Sequence, residues 1–164
     1  MNRIPRRNVL KNASAAGCLL GSVEAASGRI AIVTGAPGGI PSSEPVRWAD
    51  RELRRAVEEK GDSCVIVSSP GEAGDFQAAV IVAFATGSPA EGFRLVPEKI
   101  SGKQAVRASA SDQRGLVYAI TELADRVRHA GSPVAALTLA APLEEQPANP
   151  RPQHQPRVRQ RGGG

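Results

Sequence analysis

The sequence predicts an α/β (α+β) fold, a mixed β-sheet of about five to six strands carrying two main helices. Two kinds of pattern point to it. Short β-branched runs recur between Arg29 and Ala140, and two longer segments repeat their apolar residues at helical spacing. The 164 residues are 41% hydrophobic but only 3% aromatic, which suits one modest core built mostly of Val, Ile, Leu and Ala.

The run Arg29-Ile-Ala-Ile-Val-Thr-Gly35 reads as a strand closed by glycine, and Gly35 to Pro41 as a loop. Ser43 is placed to cap a helix with Pro45 in its first turn. Val46, Ala49, Leu53 and Val57 then share one face, Arg51, Glu52, Arg55 and Glu58 lie outside it, and Gly61 ends the segment. Ser63–Ser68 and Ala78–Phe84 are continuous apolar runs, as expected of central strands covered on both faces. Phe93–Val96 and Gln104–Ala108 read as weaker strands, with Ser101-Gly102 as a hairpin turn between them. A second helix starts near Asp112, with Leu116, Ile120, Leu123 and Val127 as its apolar stripe and Gly131 as its stop. Val134–Ala140 reads as a last strand. Leu53, Val57, Leu116, Ile120 and Leu123 are expected to share one core with Val65–Val67 and Val80–Val82.

The flanking segments have a different character. A basic head is followed by a short apolar run, Ala13–Val23, and then by Val23-Glu24-Ala25-Ala26, the layout of a secretory signal cut after Ala25. The head, Pro5-Arg6-Arg7-Asn8-Val9-Leu10-Lys11, resembles the twin-arginine motif through Arg6, Arg7, Leu10 and Lys11, although Pro5 and Val9 depart from it. The resemblance implies passage through the twin-arginine translocase and a periplasmic or extracellular destination. The apolar run is too short for a retained membrane anchor. Lipidation at Cys18 is disfavoured, because Ala15-Ala16-Gly17 lacks the leading Leu and the apolar run continues past the cysteine. From Gln146 onward Pro, Gln, Arg and Gly dominate, and disorder is expected. The organisation read from sequence is therefore an export segment at 1–25, a domain at 29–145 and a tail at 146–164. The net charge is +5, but Arg3, Arg6, Arg7 and Lys11 sit in the first segment and Arg151, Arg157, Arg159 and Arg161 in the last. The body between is slightly acidic, which argues against a nucleic-acid partner.

Few residues invite chemistry. Ile30-Ala-Ile-Val-Thr-Gly-Ala-Pro-Gly-Gly-Ile40 resembles the opening of a short-chain dehydrogenase, where a glycine turn lets a pyrophosphate approach a helix. Pro41 replaces the last glycine, Ser68-Ser69-Pro70 stands where an acidic residue should close the second strand, and Tyr118 is followed by Glu122 rather than by lysine. A nucleotide or redox role for the Gly35–Gly39 turn is thus the alternative reading, and a structural glycine loop the preferred one. His129 and His154 lack the company a metal site needs. Glu58-Glu59 and Glu144-Glu145 are adjacent and should point apart, which suits solvated charge rather than acid–base work. Ser68 and Ser69 have no histidine beside them to activate them. Once the signal is removed Cys64 is unpaired and reads as a buried strand residue. No catalytic, cofactor-binding or metal-binding residue is assigned.

Two helix signatures remain, Pro45-Val-Arg-Trp-Ala-Asp-Arg-Glu-Leu-Arg-Arg-Ala-Val57 and Ser111-Asp-Gln-Arg-Gly-Leu-Val-Tyr-Ala-Ile-Thr-Glu-Leu123. Together they resemble the non-catalytic domain that precedes the barrel of alpha-glucuronidases and beta-N-acetylhexosaminidases. Ala49, Glu52 and Leu53, beside Trp48, match the first helix of that domain. Arg114, Gly115, Tyr118, Ala119 and Leu123 match its second motif. The resemblance spans roughly residues 29–145 and implies the zincin-like architecture of hexosaminidase domain 2. It also implies that the acid and base carboxylates belong to a barrel partner that is missing here, so the chain is expected to be truncated before it. Gly115 is expected where the helix enters tightly against the sheet, with the Tyr118 ring packed there and its hydroxyl near the surface.

Overall fold

The computed structural model describes residues 28–35 and 43–146. Six strands form one mixed sheet: β1 (Arg29–Val33), β2 (Ser63–Val67), β3 (Ala78–Phe84), β4 (Phe93–Ile100), β5 (Lys103–Ala110) and β6 (Leu143–Glu145). Their spatial order is β2-β1-β3-β5-β4-β6. The first four in that order run parallel, while β4 is antiparallel to both β5 and β6. Helices α1 (Glu44–Glu59) and α2 (Gln113–His129) pack against each other on one face of the sheet. The α/β class and the two main helices are as the sequence predicts.

Period-two patterning divides the sheet into two faces. Ile30, Ile32, Cys64, Val80, Val82, Leu95 and Val106 join Leu53, Val57, Leu116, Ile120 and Leu123 beneath the helices. Ala31, Ala79, Ile81 and Ala105 point the other way, where a 3-10 turn (Pro70–Ala73) and Phe76 cover them, with Val65 and Val67 alongside. The expected single core is therefore corrected: Val65, Val67 and Ile81 lie on the opposite face of the sheet from the helix stripes.

Two strand expectations also change. β3 is central and almost wholly buried, but β2 is an edge strand whose Ile66 is 41% exposed. An apolar run alone does not say which strand ends a sheet. The expected strand at Val134–Ala140 is instead a one-turn helix, α3 (Pro133–Ala136), followed by buried Leu137. Ser132 caps it by accepting from the Ala135 amide, and Pro133 occupies its first turn, so local capping outweighs β propensity. The final strand comes later, at β6, which pairs with Phe93–Leu95.

The hairpin forms as predicted but is longer. β4 and β5 pair from Phe93↔Ala110 to Ile100↔Lys103, and Ser101 and Gly102 both take positive φ, 52° and 79°. That geometry suits a two-residue turn. Pro97 is tolerated because β6 reaches only to Leu95, leaving the outer side of β4 unpaired there. Ser43 precedes α1 with extended backbone, yet its side chain caps nothing and its Oγ is buried without a partner among the described residues. The expected side-chain cap is absent. Asp112 does cap α2, accepting from the Gly115 amide at 2.8 Å. No helix among the described residues is long and apolar enough to cross a membrane.

Candidate functional site

The motif residues of the two helices separate into packing positions and surface positions. Ala49, Leu53 and Leu123 are fully buried in the core. Gly115 answers a close approach: a Cβ there would lie 2.5 Å from the Gly92 carbonyl oxygen and 2.7 Å from the Ala110 Cβ. Such an approach is what the sequence reading expects of Gly115; Leu116 and Ala119 are fully buried, while Tyr118 stands 45% exposed. Arg114 holds Glu91 at 2.6 Å, and Glu52 of α1 receives Arg128 of α2 at 2.9 Å.

These contacts place Trp48. Pro45, Trp48 and Glu52 recur at i, i+3 and i+7, one stripe of α1. Pro45 borders a groove shared with Val117 and Tyr118, while Glu52 meets Arg128. Trp48 therefore lies on the outer side of the junction between the helices, and it is 47% exposed. The chain has one Trp, one Tyr and three Phe. Phe76, Phe84 and Phe93 are wholly or partly buried, whereas the Trp and the Tyr both stand on the outer surface of the helix layer.

A second feature lies on the opposite face. From Gly35 and Ser68, just past β1 and β2, a crevice of about 320 Å³ crosses this face over Ile81, Arg107, Glu98 and Ile100. Val33 and Ile81 are neighbours in its wall, as the register Val33↔Ile81↔Arg107 requires. Arg107 donates to Glu98 Oε1 at 2.8 Å, while Glu98 Oε2 is buried and has no partner among the described residues. Gly35 borders the crevice, and a Cβ there would overlap the Ser68 carbonyl oxygen. The close passage of β1 against β2 thus accounts for Gly35 without a phosphate. The rest of the glycine turn, Gly39 included, lies outside the described residues.

Most of the remaining polar candidates are occupied. Glu58 and Glu59 accept from Arg54 and Arg55, and Glu144 pairs with Arg94. The Ser69 hydroxyl donates to Glu72, and the His129 ring bonds the Asp125 carbonyl. Burial pushes the Cys64 thiol up to about 12, so it is protonated and unreactive near neutrality. Among the described residues no group of three His, Cys, Asp or Glu is placed to hold a metal. Sequence reasoning missed Asp50, which is 5% exposed and whose Oδ1 has no partner among the described residues. Desolvation raises its carboxyl to about 6, against a smaller opposing pull from Arg51. Its spacing from Val46 and Leu53 put it on the apolar face and was the available signal. Arg6, Arg7, Leu10, Lys11 and Ala25 lie outside the described residues.

No family model matches the sequence, and no curated protein does. Among solved structures the chain is similar to a GH138 enzyme targeting pectin rhamnogalacturonan II, with a TM-score of 0.53 and 18% identity. The match covers 73% of this chain and 15% of that one. The shared feature is the fold, and this chain spans a small part of that enzyme's length.

Proposed function

We propose that the chain is an exported, non-catalytic accessory domain of a glycoside hydrolase, and that it docks on a catalytic barrel through the outer surface of its helix layer. The observation that carries this reading is the joint exposure of Trp48 and Tyr118 on that surface. Exposed Trp and Tyr are the side chains most often found at the energetic centre of protein interfaces. Arg114 lines the groove beside Tyr118 and pairs with Glu91, and Glu52 and Arg128 pair across the two helices, which supplies ion-paired polar groups suited to an interface rim. The likeness in fold to a small share of a much longer glycoside hydrolase supports the same reading, as do the two helix motifs and the zincin-like architecture they imply. Export through the twin-arginine translocase to the periplasm or beyond belongs to this proposal and rests on Arg6, Arg7 and Lys11.

The test is association. The purified chain is mixed with a glycoside-hydrolase barrel produced without its own accessory domain, and melting and complex mass are followed. A complex that raises the melting temperature, and that Trp48→Ala or Tyr118→Ala weakens at least tenfold, is the expected result. Absence of association with the barrels of both resembling families overturns the docking role. The chain alone should turn over neither aryl glucuronides nor aryl N-acetylhexosaminides, since a glycosidase needs two carboxylates facing one sugar site. Turnover abolished by replacing one carboxylate would overturn the accessory reading.

A further inference from the structure

The two ends of the sheet differ in chemistry. β6 forms one end with three residues, Leu-Glu-Glu, and Glu144 pairs with Arg94. A short, charged edge resists pairing with a further strand. β2 forms the other end. Its five residues, Ser-Cys-Val-Ile-Val, include no charge, no proline and no glycine, and Ile66 stands 41% exposed. Among the described residues β2 pairs only with β1. An apolar edge without such protection is a template for one more strand.

The hydrogen-bond pattern selects the strand that fits. The Ser63 amide donates to the Gly28 carbonyl at 2.8 Å, and the Val67 carbonyl accepts from the Thr34 amide at 2.9 Å. Backbone groups alternate along a strand, so Ser63, Val65 and Val67 face β1 while Cys64 and Ile66 turn theirs outward. The next outward amide, that of Ser68, donates to Glu72 Oε2 at 3.0 Å, which bounds the open edge. Two such edges are self-complementary about Val65. In an antiparallel pairing centred there, Cys64 and Ile66 of one copy exchange both N–H···O bonds with Ile66 and Cys64 of the other. The large, exposed Ile66 side chain then lies beside the small Cys64, and Val65 faces Val65 on the opposite side of the sheet. Charge agrees with this register. Asp62 meets Ser68, so no like charges oppose each other along the strands. On α1, Arg54 and Glu58 lie close enough to act on the Cys64 thiol, and they pair with each other at 2.7 Å. A twofold axis sets two such pairs antiparallel, the orientation in which neighbouring dipoles attract. We propose that β2 pairs antiparallel with β2 of a second copy of this chain, joining two sheets into one across a twofold axis. One short strand and its flank make a small interface, of the class under about 1,200 Å² that suits a reversible dimer.

The test is sedimentation velocity on the full purified chain, which should show a dimer that grows with concentration in the micromolar range. Ile66→Lys puts a charge on the edge from an exposed position and should weaken dimerisation at least tenfold. Val65→Cys, carried on Cys18→Ser, reads the register. Facing residues in a pair without mutual hydrogen bonds have Cα atoms about 4.5 Å apart, within disulfide range. Mild oxidation should therefore link that variant into a covalent dimer, while Cys18→Ser alone stays unlinked. Trp48→Ala and Tyr118→Ala should leave the dimer unchanged, which separates this edge from the docking surface, because either can fail alone. A chain that stays monomeric, a dimer untouched by Ile66→Lys, or a Val65→Cys variant that does not link overturns the proposal. Slow hydrogen exchange at the Cys64 and Ile66 amides of a monomer also overturns it, since the edge would then be covered from within its own chain.

Discussion

Asp50 makes the structure testable through a single carboxyl. It lies on the buried face of α1 beside Ala49 and Leu53, and desolvation raises it from 3.8 to about 6. A group whose folded value lies above its unfolded value holds its proton more tightly in the fold. Its contribution to stability is therefore fully present below about pH 4 and is lost as pH rises through about 6. The shift is about two units, or about 3 kcal/mol at pH 7.5, where both states are ionised. Asp50→Asn keeps the shape and removes the titration. Burying the amide has its own cost, but that cost does not change with pH. The difference in stability between variant and wild type should accordingly move by about 2 kcal/mol in the variant's favour between pH 4 and pH 7.5. Denaturant melts at four or five pH values measure it. Glu44, which its hydrogen bond to Arg51 holds below the usual carboxylate range, titrates in both proteins and largely cancels in the comparison. Two stability curves that run parallel within about 0.5 kcal/mol over this range would refute the claim that Asp50 is ionised inside an unaccommodating core.

Other outcomes follow from packing and from the export motif. Leu123→Ala removes a fully buried side chain from the main core and should cost about 2–5 kcal/mol in denaturant melts. Gly115→Ala drives a methyl into the Gly92 carbonyl and the Ala110 side chain, so a loss of at least about 1–3 kcal/mol is expected, and a neutral result would show that the start of α2 can lift off β5. Replacing both Arg6 and Arg7 by Lys should stop export in a twin-arginine host, with the precursor followed by immunoblot. Mass spectrometry of exported protein should find Ala26 as the first residue.

Much of the scaffold is legible because its signals are local. The stripe Leu116, Ile120, Leu123, Val127 declares α2 through its spacing alone, and Asp112 and Gly115 fix where that helix starts. The Ser101-Gly102 turn likewise declares its hairpin. The errors arise where local patterns leave tertiary position open. Ser63–Val67 is as apolar as a central strand, but its neighbours are decided by strand order, and that order leaves Ile66 at an edge. β propensity points to a strand at Val134–Ala140, although Ser132-Pro133 is also a helix-start signature, and the cap prevails.

The same reasoning explains why the crevice is hidden in the sequence and the motifs are visible. Val33, Ser68, Ile81, Glu98 and Arg107 come from five separate segments, and no spacing in the sequence relates them. Only the register that sets Ile81 beside both Val33 and Arg107, together with the hairpin that turns Glu98 towards Arg107, brings them into one wall. The helix motifs, by contrast, are contiguous, and most of their residues turn out to serve packing: Ala49, Leu53, Gly115 and Leu123 hold the helices to the sheet. Trp48 and Tyr118 are the exceptions. They interrupt a packing pattern with large side chains that the core does not use. For a chain this poor in aromatics, leaving its Trp and its Tyr on the outside costs burial that the small core could have used. That cost is offset if a partner buries them, and this is the physical ground for proposing that the docking surface lies on the helix layer.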